Sequence, residues 1–262
     1  MFCFIGKRKS TMIELKAIEH HIEDTKILQS IDLVLQPQQT IALIGPNGAG
    51  KSTLLSLMAR LEPLQSGQIL FDGLDVTRSK TDLVARKLAI LQQSMHFMSR
   101  LTIADLLMFA RYPYHKGRPK KLDQNRVDEM LSYFHLSHLK DKFIDQLSGG
   151  QRQMALVAMT FCQDTDYILL DEPLNNLDMY HARHLMRTLQ QAISDWGKTI
   201  VVVLHDINYA SHYADYIVGM KQGEISFHGA TDAVLTAENI EQLYNLDVSM
   251  LEFENKRFCM HY

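Results

Sequence analysis

The sequence predicts an α/β domain built on a parallel sheet, and three observations predict it. Apolar runs at Thr40 to Ile44, Tyr167 to Leu170 and Thr199 to Leu204 have strand length and lack alternation, as strands buried on both faces do. A long helical pattern from Met179 to Trp196 separates the last two, and such β/α alternation implies parallel strands covered by helices. The 262 residues, 46% of them hydrophobic, suffice for one large core with an inserted subdomain.

The elements follow in chain order. Residues 1–11 carry Lys7, Arg8 and Lys9 after a short apolar start, the reverse of a signal peptide's order. We therefore expect a disordered leader on a chain that stays in the cytoplasm, with Met12 as an alternative start. Met12 to Ile18 and Ile31 to Leu35 read as strands. His20 and His21 are adjacent and lack a histidine partner at i+4, so a solvated strand end is expected there rather than a metal site. Beyond Lys51, the residues Leu54, Leu55, Leu57, Met58 and Leu61 recur at helical spacing and stop before Pro63. Helical patterns at Thr102 to Ala110 and Asp123 to Leu136 then mark an inserted helical subdomain, about residues 95–150. The main domain is expected over 12–245, with 246–262 a short C-terminal extension.

Composition excludes several classes of function. The net charge of −3 provides no general field for nucleic acid, so no nucleic-acid partner is expected. No stretch approaches the ~18 to 20 apolar residues of a membrane span, so any membrane work must go through partners. Cys3, Cys162 and Cys259 are odd in number and show no C-x-x-C spacing, which reads as free thiols in a reducing compartment. Nothing sustains coiled-coil heptads.

Gly45-Pro46-Asn47-Gly48-Ala49-Gly50-Lys51-Ser52 fits the phosphate-loop pattern G-x-x-x-x-G-K-[ST] between a strand and a helix. Its glycines let backbone N–H groups surround a β-phosphate at a helix N-terminus. Lys51 supplies charge to the β- and γ-phosphates, Ser52 an oxygen to Mg²⁺, and Thr53 a contact to the α-phosphate. The second motif, Ile168-Leu169-Leu170-Asp171-Glu172, is an apolar strand ending in two carboxylates. Asp171 suits the magnesium shell, and Glu172 suits orienting or deprotonating a water for in-line attack on the γ-phosphate. ATP and Mg²⁺ are the cofactors expected.

The third motif, Leu147-Ser148-Gly149-Gly150-Gln151, lies shortly before the second, and with it the chain resembles the ABC-type ATPases. The fold that this resemblance implies is a P-loop NTPase of ABC type, with an N-terminal antiparallel β subdomain and an inserted helical subdomain. Ser148, Gly149, Gly150 and Gln151 would bind the γ-phosphate of the opposite subunit's nucleotide, so a second copy of the chain is expected as partner. By the same resemblance His205 contacts the γ-phosphate and holds the attacking water. Gln93, with Gln92 as the alternative, touches magnesium, and Asp178 in Asn175-Asn176-Leu177-Asp178 crosses the dimer interface. Read without the family, Asp178 is a helix N-cap and His205 a helix-start residue. The aromatic that usually stacks on adenine is replaced by Ile22 or His21, leaving the phosphates to carry most of the binding.

Arg111-Tyr112-Pro113-Tyr114, Gln163-Asp164-Thr165-Asp166, Asp171 to Asp178 and Leu204-His205-Asp206-Ile207-Asn208 are similar to segments of ATPases serving ferric-siderophore importers. Vitamin B12 and heme importers are near relatives, and an exporter is a further alternative. The resemblance implies integral membrane permease subunits as partners, contacted around Leu101 to Tyr114, and indirectly a substrate-binding protein. It places the chain peripherally on the cytoplasmic face of the cell membrane. The basic loop Lys116 to Lys121 reads as a solvated connection that can also meet the membrane partner or lipid head groups.

Overall fold

Strands that are apolar at every position need cover on both faces, and the fold supplies it. The computed structural model describes residues 12–93, 100–254 and 256–260. The chain opens with β1 (Ile13–Ile22), β2 (Thr25–Leu35), β3 (Thr40–Ile44), α1 (Lys51–Met58), β4 (Ser66–Phe71), β5 (Leu74–Asp75), α2 (Thr81–Ala85) and β6 (Leu88–Leu91). The helices α3 (Ile103–Ala110), α4 (Tyr112–His115), α5 (Lys121–Tyr133) and α6 (Gly149–Cys162) follow. Then come β7 (Tyr167–Leu170), α7 (Met179–Trp196), β8 (Thr199–Val203), α8 (Ile207–Tyr213), β9 (Tyr216–Lys221), β10 (Glu224–Ala230), α9 (Thr231–Val234) and α10 (Ala237–Tyr244). The last elements are β11 (Ser249–Phe253) and β12 (Lys256–Met260), a hairpin.

The main sheet has the order β10-β9-β3-β8-β7-β6 and is parallel except for the edge pair β10 and β9. Successive side chains of its strands feed opposite cores. Ala42, Ile44, Ile168, Leu170, Ile200 and Val202 pack with the helical side of the molecule. Ile41, Leu43, Tyr167, Leu169, Val201 and Val203 pack with α1 and the antiparallel sheet β2-β1-β4-β5.

The N-terminal hairpin runs longer than the expected strands at Met12 to Ile18 and Ile31 to Leu35. Polar residues at its far end belong on an exposed sheet, where they face outward, and Glu23 at φ 51 makes the turn. His20 departs from expectation. Register irregularities on either side of it in β1 leave it only 4% exposed, with its Nδ1 lacking a hydrogen-bond partner. It is a buried strand residue rather than a solvated end. His21 is exposed, and its backbone N–H donates to Gln65 Oε1 at 2.7 Å.

In the helical region, Arg111 at the end of α3 is buried and pairs with buried Asp123 at 3.3 Å. It also donates to the Cys162 carbonyl at 3.1 Å, while its guanidinium lies 4.0 Å from the Tyr114 ring centre. Tyr114 in turn donates to the Asp164 carbonyl at 3.0 Å. Two of the segments similar to siderophore-importer ATPases are thus pinned to each other inside the molecule. Cys162 and Cys259 are free and buried, and burial pushes the Cys162 thiol up to about 12. The end of the chain also packs inward through β12. Val248 and Cys259 join the main core, and Asn208 in α8 exchanges two hydrogen bonds with the Cys259 backbone, at 2.8 and 3.2 Å. The expected leader 1–11, Cys3 and the start of the helical insertion at 95 lie outside the described residues.

Candidate functional site

The site forms where β3, β7 and β8 end side by side, because a parallel sheet delivers its loops to one edge. The chain leaves β3 at Gly45, turns through Gly50 at φ 95 and enters α1 at Lys51. Lys51 is 5% exposed and folds back so that Nζ donates to the Gly45 and Pro46 carbonyls, at 2.8 and 3.0 Å. Burial lowers its pKa, and the charges of Glu172 and Asp171 oppose that shift.

Asp171 and Glu172 follow β7. Ser52 Oγ donates to Asp171 Oδ1 at 2.9 Å across 119 residues of sequence. Burial pushes the Asp171 carboxyl up, the Ser52 hydrogen bond opposes this, and the charge of Glu172 adds to it. Glu172 occupies the left-handed region at φ 50, a conformation that costs a non-glycine residue about 1–3 kcal/mol and recurs at functional sites. Its Oε1 lies 2.6 Å from His205 Nε2. Its Oε2 accepts from Gln93 Nε2 at 2.6 Å and from Asn175 Nδ2 at 2.5 Å. Burial alone would raise the Glu172 pKa, but hydrogen bonds from His205, Asn175 and Gln93 outweigh it and the net direction is down. A carboxylate with its pKa held down stays an acceptor that can orient a water by hydrogen bonding.

One cavity of about 350 Å³ is lined by Asn47, Gly48, Ala49, Gly50, Lys51, Ser52, Thr53, Gln93, Glu172 and His205, while Asp171 lies behind its lining, hydrogen-bonded to Ser52. Gln92 does not line it. Among the described residues no cluster of three or more His, Cys, Asp or Glu side chains forms a metal site. A hard cation here would rest on the Ser52 hydroxyl, the Asp171 carboxylate and the Gln93 amide oxygen, the donor class that suits magnesium.

Other sequence-derived candidates lie elsewhere. Ser148 caps α6 in a reciprocal box, accepting from Gln151 N at 3.3 Å while Gln151 Oε1 accepts from Ser148 N at 3.2 Å. Gly149 and Gly150 form the first turn of that helix. Asp178 caps α7, and its Oδ1 accepts from the His181 backbone and Nδ1, both at 2.8 Å. None of these residues lines the cavity, and neither does Ile22, which is 52% exposed at the end of β1. Gln153 Nε2 donates to the Pro173 carbonyl at 2.9 Å, tying the start of α6 to the segment after Glu172. Sequence reasoning missed two contacts. Asn175, expected only as part of the stretch that crosses the dimer interface, holds Glu172, and Tyr244, whose hydroxyl meets Gly45, carries no local motif.

A profile of the family described as "ABC transporter" matches residues 28–175, more than half of the chain. The petrobactin import ATP-binding protein YclP of Bacillus subtilis (strain 168) is 41% identical over 251 residues, covering 96% of this chain and 100% of that one. The ferric enterobactin transport ATP-binding protein FepC of Escherichia coli (strain K12) is 37% identical over 213 residues, covering 80% of this chain and 79% of its own. Among solved structures, an inward-facing conformation of a putative metal-chelate type ABC transporter shares the fold with a TM-score of 0.83 and 22% identity, over 97% of this chain and 98% of that one. A phosphate loop facing a paired carboxylate on one sheet edge, together with a full-length likeness to import ATP-binding proteins, establishes that the chain belongs to the ABC transporter family, among its ATP-binding, ATP-hydrolysing proteins.

Proposed function

We propose that the protein is the ATP-hydrolysing subunit of a membrane importer for an iron(III)-siderophore. The single observation that carries the catalytic part is Glu172, held by His205, Gln93 and Asn175 at the wall of a cavity that Lys51 and Ser52 also line. The loop amides of Asn47 to Gly50 and the Lys51 ammonium bind the β- and γ-phosphates, and Thr53 meets the α-phosphate. Ser52 and Asp171, with Gln93 beside them, would hold Mg²⁺, whose charge would offset that on the phosphate oxygens. Glu172 orients the attacking water and takes its proton, and His205 holds that water against the γ-phosphate.

Ser148 to Gln151 and Asp178 lie outside this cavity, which supports a role toward the nucleotide of a second, head-to-tail copy. No helix among the described residues is long and apolar enough to cross a membrane, so integral permease subunits carry the cargo path while this subunit sits peripherally on the cytoplasmic face. The helical insertion meets those subunits, and a substrate-binding protein acts further along the route. The names of the relatives, petrobactin import and ferric enterobactin transport, support iron-chelate cargo. Uptake tests the reading: Lys51→Ala should abolish transport of a radiolabelled ferric siderophore without altering its capture by the binding protein. Unchanged iron uptake, with vitamin B12 or heme uptake lost instead, would replace the cargo and keep the transporter.

A further inference from the structure

The entrance of the phosphate loop is gripped by the far end of the chain. The Gly45 N–H donates to Tyr244 Oη at 3.0 Å, a contact between residues 199 apart. Gly45 is buried, so that amide has no alternative partner in bulk water. On its other side the backbone presses close, because a Cβ at Gly45 would stand 2.0 Å from the Met220 carbonyl oxygen. Met220 and Lys221 end β9, while Tyr244 ends α10 with Asn245 as its left-handed cap. Lys221 Nζ donates to Asn245 Oδ1 at 2.7 Å and to the Gln242 carbonyl. The strand end and helix end that hold Gly45 are therefore locked to each other. Burial pushes the Tyr244 phenol up to about 12, so it remains neutral and keeps a lone pair for the amide.

We propose that Tyr244 is a positioning residue for nucleotide binding, setting through the Gly45 amide the direction in which the loop's N–H groups point. It does not line the cavity, and it lies outside the stretch that matches the family profile. The chain direction at Gly45 decides where the amides of the following residues aim, and phosphate binding by backbone donors tolerates little misdirection. Substrate and transition state use those amides alike, so loss of the grip weakens binding more than turnover. The inference rests on the reading of Gly45 to Ser52 as the loop that binds the nucleotide's phosphates.

The test compares Tyr244→Phe, Lys221→Met and Lys51→Ala in the full chain, using a fluorescent ATP analogue for affinity and phosphate release for turnover. Tyr244→Phe, which keeps the ring and removes the acceptor, should weaken binding and raise KM about 10-fold, with kcat at saturation within about twofold. Lys221→Met, which loosens the frame but leaves the hydroxyl, should shift KM in the same direction by about threefold. Wild-type affinity in Tyr244→Phe, alongside lost binding in Lys51→Ala, overturns the role of Tyr244 and leaves the loop reading standing. A fall in unfolding temperature and kcat with KM unchanged overturns it too, since that is a structural role only. Undiminished binding in Lys51→Ala removes the loop reading itself.

Discussion

The two halves of the proposed ATP site differ in how much of each one chain completes. On the sheet side, Lys51, Ser52, Asp171, Glu172, His205 and Gln93 come from four separate stretches, yet each hydrogen-bonds another residue of the same wall. On the helical side, Ser148 and Asp178 bond, among the described residues, to the first turns of their own helices, and neither reaches the cavity. A parallel sheet fixes its strand ends relative to one another through backbone ladders, so that half is preassembled. Helix N-termini point their donors outward, so the other half is finished by whatever anion is brought to it.

The sharpest way to break this comparison is at Glu172. Glu172→Gln keeps the shape and removes the charge that activates water, so hydrolysis should fall about 10³-fold while nucleotide binding persists. ATP should then hold the protein as a dimer in size-exclusion chromatography, and near wild-type hydrolysis would strip Glu172 of its role. Ser148→Arg probes the other half by crowding the start of α6. Phosphate release should drop about 10²-fold, with affinity for a fluorescent ATP analogue within about twofold. Undiminished release would mean that one chain completes the site alone.

A third test carries the contrast into stability. Arg111→Ala strands the buried Asp123 carboxylate and should cost about 3–5 kcal/mol in denaturant unfolding at pH 7. Burial raises the Asp123 pKa, but the Lys120 backbone N–H and Arg111 outweigh it and the net direction is down. A lowered folded-state pKa means a contribution present above the ordinary carboxylate range and lost as pH falls through the folded value. The gap between wild type and Arg111→Ala should therefore narrow in acid. A gap that is independent of pH would show that lost packing, not the stranded charge, sets the cost.

Local patterns made much of this legible. Thr40–Ile44, Tyr167–Leu170 and Met179–Trp196 are found with the bounds read from the sequence, because apolar runs and the caps Asp178 and Gly197 mark those elements without help from the rest of the chain. The cavity residues Asn47 to Thr53 and Glu172 were legible for the same reason, each sitting in a contiguous string. His20 was not, since its burial follows from irregular pairing in a hairpin that polar residues disguise. Nor was the inward work of Arg111, whose partners Asp123 and Cys162 lie 12 and 51 residues away.

By itself the sequence determined the fold class and singled out the loop Gly45 to Ser52 and the pair Asp171-Glu172 as candidates, because strand periodicity, glycine geometry and short-range spacing are properties of neighbours along the chain. Tertiary structure alone decided that Gln93 rather than Gln92 enters the cavity, that Arg111 is an internal pin, and that Tyr244 grips Gly45. Each of those outcomes depends on which surfaces meet when the sheet and helices close. A hydrogen bond of 3.0 to 3.3 Å between residues 12 to 199 apart leaves no trace in local composition, since only folding brings its donor and acceptor within range.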